Sequence, residues 1–277
     1  MSLHESTTLV FLHVSQWGAR RHDKAASLQV AQANDAGDAG RFNKLLIDKA
    51  HLADIGKAVS AMRTTHYDLT LPWQDDGARL LPNALFMKYA EAMRVRRSVF
   101  DDAVRDFVAK YPELVNQARK RLGKLYRPED YPIEIASRFQ SRMEFAPMPN
   151  VDDFRVKASQ DEAELIKQEV TASVNSTLAA RQAEAMKHVN TRVREALERV
   201  RDRCGADKPV IHDSMMEEIS TLIEVLPAMN IVSDTKLEQL VHRLQNEVLR
   251  STRVLRGSAP ARRAAATAAE ELLNWLE

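Results

Sequence analysis

The sequence contains little of what disulfide-bonded, all-β or membrane-spanning proteins need. It has one cysteine, Cys204, so no disulfide can form within the chain, which fits a reducing, cytoplasmic location. Its 277 residues include only 8 glycines, whereas an all-β fold with repeated tight turns needs more. No run of about 20 apolar residues is present, so we expect no membrane span and no membrane partner.

Motifs of common catalytic and nucleotide-binding sites are also missing. The sequence contains no GxxxxGK[ST], GxGxxG, GxSxG or HExxH, and no cysteine–histidine spacing typical of zinc sites. We therefore predict a protein that is not an enzyme and that uses no cofactor or metal. One alternative stays open, a metal-dependent nuclease that uses adjacent acids, although neighbouring side chains on one element point apart. These acids are Asp75–Asp76, Asp101–Asp102 and Asp152–Asp153.

The front of the chain has the pattern of a small mixed module. Hydrophobic residues make up 44% of the sequence, enough for a packed core. Residues 8–17 and 66–73 are β-rich and are predicted to be strands, with a turn over 74–82. Helical spacing covers residues 42–67, and helices are predicted over about 83–110 and 112–122, the second closed by Gly123. The proline-containing stretch 142–156 is predicted to be extended.

The back of the chain is predicted to be helical throughout. Ser159 and Glu162 form a capping box, and apolar residues then recur at helical spacing up to Gly205, which indicates one helix of about 45 residues. Shorter helices are predicted over 214–226, opened by a second capping box, and over 233–255. They can cover the long helix within the chain or pair with another subunit. Residues 257–270 are predicted to be an alanine-rich hinge, followed by a short amphipathic terminus.

The sequence therefore predicts an α+β, predominantly helical fold in two parts. Residues 1–157 form a β-containing N-terminal module, which is the candidate nucleic-acid-binding part. Residues 158–277 form a coiled-coil-like C-terminal module for oligomerisation, with a tail. The charges divide between them, because residues 1–158 hold 24 basic and 20 acidic side chains and residues 159–277 hold 16 and 19.

The positive charge is concentrated in clusters that each contain an aromatic ring. The stretch QARKRLGKLYRPEDYP, residues 117–132, has five cations and no acid before Glu129. Single-stranded nucleic acids are bound by cations that follow the phosphates and by rings that stack on bases. The predicted nucleic-acid-binding residues are Trp17, Arg20, Arg21, Lys24, Trp73, Arg79, Arg94, Arg96, Arg97, Arg119, Lys120, Arg121, Lys124, Tyr126 and Arg127.

Each cluster also has a simpler interpretation. Trp17 and Trp73 can belong to the core, and Arg94, Arg96 and Arg97 can be a solvated helix face paired with nearby acids. A second acid-free stretch, residues 248–269, can hold phosphates or be a solvated helix end. The acidic and apolar tail can bind a partner or fold back on its own chain.

Four stretches resemble a largely uncharacterised family of bacteriophage proteins. They are HYDLTLPWQDDGARLLP, FVAKYPEL, LGKLYRPEDYP and MEFAPMPNVDDFRV, all within residues 8–157. The resemblance extends to the Drc-like single-stranded-DNA-binding proteins of N4-related phages. It implies sequence-independent binding of single-stranded DNA, a homo-oligomer, and a role in early viral transcription, replication or recombination in the host cytoplasm. A viral RNA polymerase or replication protein is then a candidate partner.

The sequence thus favours an oligomeric single-stranded-DNA-binding protein. The main alternative is a helical adaptor or scaffold that binds a polymerase or ATPase and makes no contact with DNA.

Overall fold

The computed structural model describes residues 3–37, 40–74, 77–148 and 160–276, with the side chains of the last range described from residue 172. The chain is α+β and predominantly helical, as predicted. The strands are β1 (Thr7–Ser15), β2 (Arg20–His22), β3 (Asn43–Leu45), β4 (Leu71–Pro72), β5 (Arg79–Pro82) and β6 (Gln140–Pro147). The helices are α1 (Leu3–Ser6), α2 (Lys24–Ala33), α3 (Ala53–Asp68), α4 (Phe86–Leu122), α5 (Gln160–Gly205), α6 (Asp213–Met229), α7 (Thr235–Arg243), α8 (Thr252–Gly257) and α9 (Ala259–Trp275).

The four-stranded sheet has the order β4-β5-β1-β6, and β2 pairs with β3 in a separate ribbon. The first predicted strand is confirmed, because β1 pairs antiparallel with β5 from Thr7↔Pro82 onward. The second was placed too early, since helix α3 continues to Asp68 and only β4 pairs. The turn predicted over 74–82 was wrong at its end, where β5 forms because its leucines are fully buried.

The chain forms two compact units that divide its charge. One comprises Leu12–His66 and Tyr89–Glu144, and its 20 basic and 14 acidic residues give a net charge of +6. We call it the basic unit. The other, the acidic unit, comprises Met1–Phe11, Tyr67–Lys88 and Phe145–Glu277, with a net charge of −5. The predicted boundary near residue 157 lies outside the described residues.

Helix α4 is the main support of the basic unit. Its buried residues recur at intervals of three, four or seven and include Met93, Phe100 and Phe107. The helix runs unbroken through Pro112, where the sequence predicted a break. Proline removes one backbone donor, and buried neighbours on either side hold the helix together. The helix ends before Gly123, whose φ of 51° fits the predicted glycine end.

Helix α5 is the longest described helix of the acidic unit, and other helices of that unit pack on it. It has 46 residues, close to the predicted length, although the capping box that was predicted to open it lies outside the described side chains. Its buried stripe is Ala185, Val189, Val193, Ala196, Leu197, Val200 and Cys204. Helices α6 and α9 pack on α5 within the chain. Helix α6 begins one residue earlier than predicted, and its N-cap His212 makes no side-chain capping bond, so the second predicted capping box was wrong.

The helix predicted over 233–255 is interrupted. Helix α7 ends at Arg243, a π-helical turn covers Leu244–Val248, and α8 starts only at Thr252. The apolar seam predicted for a partner helix is nevertheless used inside the chain. Of its five residues, Val241 is half-buried and the others are buried, namely Leu237, Leu244, Val248 and Leu255.

The predicted alanine-rich hinge is a helix. Ser258 accepts a hydrogen bond from the Ala261 backbone N–H and so caps α9. Ala265 and Ala269 are buried because their small side chains allow α9 to approach α5 closely. Leu272 is fully buried as well, so the tail folds back on its own chain. Alanine has the highest helix propensity, and here its abundance indicates a helix and not a flexible segment.

This close approach makes the size of Ala269 critical. We expect Ala269→Leu to lower the free energy of unfolding by about 2 kcal/mol, because added methylenes in a packed interface force neighbours out of position. Ala264, on the same helix, is exposed, so Ala264→Leu should change the free energy of unfolding by less than about 0.5 kcal/mol. Urea unfolding measures both. Equal effects of the two substitutions would contradict the packing of α9.

Candidate nucleic-acid interface

A short ribbon and a helix start position the first basic cluster. Strand β2 pairs antiparallel with β3, with Arg20 opposite Leu45 and Arg21 opposite Lys44. Asp23 then caps α2, since its carboxylate accepts a hydrogen bond from the Ala26 backbone N–H at 3.0 Å. The sequence RRHDK therefore turns directly from strand to helix, and its cations lie exposed on both sides of the cap.

Lys44 is the buried centre of this region. Its side chain is only 2% exposed, and Nζ lies 3.1 Å from Oδ2 of Asp23 and 2.6 Å from Oδ2 of Asp130. Nζ also donates to the Leu125 backbone oxygen at 2.8 Å. The pKa of Asp23 is below its usual 3.8, mainly because of the hydrogen bond from the Ala26 N–H and secondly because of the one from Lys44. One buried cation thus neutralises much of the acid beneath the exposed arginines.

A cavity of about 580 Å³ joins cations from two basic clusters that are far apart in the sequence. Its exposed cations are Arg20, Arg21, Lys24 and Arg127. Arg21 Nε lies 3.5 Å from Oδ1 of Asp130, and no ion pair is found for the other three within the described residues. The fold therefore gathers cations from both parts of the basic unit's sequence along a single site.

The end of α4 supplies the rest of the positive surface. Arg119, Lys120 and Lys124 are exposed. The Arg119 guanidinium lies 6.0 Å from the centre of the Tyr126 ring. Arg121 donates to the Leu45 backbone oxygen at 2.7 Å and so ties the end of the helix to β3. Arg121 therefore has a structural role in addition to its charge.

The predicted stacking rings are less exposed than the cations. Trp17 is half-buried and contacts Tyr111 edge to face, with ring centres 5.8 Å apart. Tyr126 is half-buried beside Tyr131. Burial raises the pKa of Tyr131 to about 12. Trp73, in the acidic unit, is only 6% exposed and lies against Arg181, so the ring as placed has no free face for a base.

The remaining predicted cations have local partners. In the acidic unit, Arg79 donates to both oxygens of Thr70 and lies over the Tyr67 ring. On α4, each of the three predicted arginines of residues 94–97 contacts a neighbour. Arg94 pairs with Glu91, Arg96 donates to Thr65, and Arg97 lies 3.8 Å from Asp101. This matches the simpler interpretation of a solvated helix face.

The sequence did not indicate Lys44, Asp23 or Asp130 as part of the site. A usable signal exists for Lys44, which directly precedes the apolar run Leu45–Ile47. A lysine so placed in a strand has to find buried partners. Nothing in the sequence pairs it with Asp130, which lies 86 positions away.

Two observations bear on other kinds of site. Among the described residues no group of three histidine, cysteine, aspartate or glutamate side chains is placed to hold a metal ion. Asp101 and Asp102 lie next to Arg97 and Arg105, and the other two acid pairs are outside the described residues. None of the described helices is both long and apolar enough to cross a membrane.

Comparison with known proteins adds no family. No protein-family model, curated protein or solved structure matches the chain.

Proposed function

We propose that the basic unit binds single-stranded DNA through its phosphates, without sequence specificity, in an oligomeric phage protein. The observation that carries this proposal is the convergence of Arg20, Arg21, Lys24 and Arg127 on one cavity. The resemblance to the N4-related phage proteins gives the same function and suggests early viral transcription, replication or recombination as the process served.

Electrostatic attraction is the main source of affinity in this proposal. The basic unit carries a net charge of +6, whereas the acidic unit repels a polyanion. The two acids that line the cavity pair with buried Lys44, and Arg21 also lies near one of them, Asp130. The exposed cations Arg20, Lys24 and Arg127 therefore remain to meet phosphates. Binding of this kind releases counterions and weakens steeply with salt.

Preference for a single strand depends on rings beside the cations. Tyr126 and Trp17 are half-exposed in the same unit, and a base can stack on a ring only when it is not paired. Partial burial limits this contribution to less than the roughly 1–3 kcal/mol of a fully exposed ring. We therefore expect a moderate preference for single strands and strong salt dependence.

Fluorescence anisotropy of a labelled dT oligonucleotide, against duplex of equal length, tests the proposal. Four phosphate contacts on a single strand predict a slope of about −3 for log affinity against log salt. The single strand should bind more tightly than the duplex. Flat anisotropy at micromolar protein and low salt would rule out the proposed function.

A protein-binding adaptor is the second candidate, and exposed apolar side chains on the basic unit favour it. Leu28 and Val30 on α2 are 59% and 55% exposed, and Phe42 is 37% exposed. Val30 and Phe42 line an apolar depression of about 380 Å³. If DNA does not bind, pull-downs with wild type and Leu28→Ser/Val30→Ser should identify a protein that only the wild type retains.

A further inference from the structure

Strand β6 lies at an edge of the four-stranded sheet. In the described part of the chain, β1 is its neighbour on one side, and the sheet order places no strand on the other. The strand has eight residues, QSRMEFAP, with no lysine and with proline only at its end. Natural edge strands are commonly protected by charged side chains, especially lysine, by proline, by a bulge or by a short length. The charged residues of β6 are Arg142 and Glu144, which have opposite signs, so they repel a second strand only in some registers.

The charges of β6 indicate which strand. Arg142 and Glu144 are two residues apart and so lie on the same face of the strand. Within one chain they pair at 2.8 Å while remaining 70% and 46% exposed, and Glu144 also lies 3.4 Å from His13 of β1. A strand with opposite charges placed symmetrically about one residue, Met143, is complementary to an antiparallel copy of itself.

We propose that β6 pairs antiparallel with β6 of a second copy of this chain, with the two-fold axis at Met143. In this register, Arg142 of each copy lies opposite Glu144 of the other, which gives two favourable cross-strand pairs. The interface is isologous and joins two sheets into one. It does not depend on the binding of nucleic acid.

Neighbouring registers are disfavoured by the same charges. The two copies of β6 are related by a two-fold axis perpendicular to the sheet, and directly opposite residues of an antiparallel pair lie on the same face. Both conditions hold only when the axis passes through a residue and not between two residues. An axis at Arg142 places the two arginines opposite each other, and an axis at Glu144 does the same for the two glutamates. Like charges directly opposite are destabilising, so Met143 is the favoured centre.

Site-specific cross-linking tests this register directly. Met143→Cys places two thiols at the axis, whereas native Cys204 is buried and burial raises its pKa, which keeps it unreactive. With a short bis-maleimide, the Met143→Cys variant should yield a covalent dimer. The matched control is Ser98→Cys, which places an exposed thiol on α4, away from the strand, and should yield about a tenth as much dimer or less.

Exchanging the charges then distinguishes cross-linking through a paired strand from cross-linking through random encounters of two chains. Adding Arg142→Glu to the Met143→Cys variant creates two repulsive pairs and should lower the dimer yield about tenfold. Adding Glu144→Arg as well restores opposite charges and should recover the yield. Equal yields from the Met143→Cys and Ser98→Cys variants, or a yield that ignores the charge exchange, would overturn the proposal. DNA affinity of the same variants, measured by anisotropy on a per-chain basis, should change by no more than about twofold, from general charge alone. The outcome is therefore separate from that of the proposed function.

Discussion

Replacing Arg20, Lys24 and Arg127 together with alanine is expected to weaken binding to a dT oligonucleotide about a hundredfold at about 0.1 M salt. All three are exposed and line the same cavity. Each phosphate neutralised on a single strand contributes about 0.7 to the salt slope, which is about fivefold in affinity at this salt concentration. The slope of log affinity against log salt should therefore become less negative by about 2. Anisotropy titrations over a salt series measure both quantities.

The matched control removes the same charge from elsewhere in the basic unit. Alanine at Arg94, Arg96 and Arg97 lowers the net charge equally, yet these arginines lie along α4 beside local partners. We expect about a twofold loss, from the general field alone. A hundredfold loss in both variants would assign binding to overall charge, and small losses in both would contradict the interface.

Lys44→Met is expected to lower the free energy of unfolding by about 3 kcal/mol near neutral pH. The lysine ammonium is buried between two carboxylates, and methionine keeps most of the length of the side chain without its charge. Removal of one partner from a buried ion cluster leaves the others without compensation, which costs more than the loss of any exposed pair. Urea unfolding of the two proteins gives the difference.

A surface pair and the pH dependence provide the checks. Lys57→Met removes a lysine that is 78% exposed and pairs with exposed Asp54, so it should change stability very little. The pKa of Asp23 is lowered in the folded chain, so its stabilising effect is present above its usual pKa of 3.8 and is lost as pH falls below that value. The deficit of Lys44→Met should therefore shrink as the Asp23 carboxylate becomes protonated. A deficit independent of pH would mean that packing, and not charge, is lost.

The periodic helices were predictable because their signal is local and long. The apolar spacing predicts a helix close to the 46 residues of α5. Its predicted stripe is buried only in the second half of the helix, at Val189, Val193, Leu197, Val200 and Cys204. Strand β1 was recognised from a local β-rich run. The stretch 142–156 was predicted to be extended from its prolines, and β6 confirms this up to Pro147, beyond which most of the stretch lies outside the described residues. Repetition over many residues makes such patterns robust against a single unfavourable position.

Errors occurred where a residue type was given more weight than its surroundings. Pro112 and Pro227 lie inside helices because packed neighbours on both sides compensate for one missing donor. The alanine-rich segment is a helix because α5 provides a surface on which small side chains can pack closely. Strand β5 is too short to show a period, and it forms because it pairs with β1 on one side and with β4 on the other.

The fold class, the long helix and the existence of basic clusters were predictable from the sequence, because they depend on composition and on neighbours along the chain. Which clusters meet depends on the folding of the whole chain. The tertiary structure joined Arg20 and Lys24 to Arg127, and it placed Lys44 between Asp23 and Asp130. It also divided the charge into units of +6 and −5, whereas a cut in sequence at 158 separates only +4 from −3. Each of these depends on contacts between distant segments, and a distance in space has no counterpart in the order of residues along the chain.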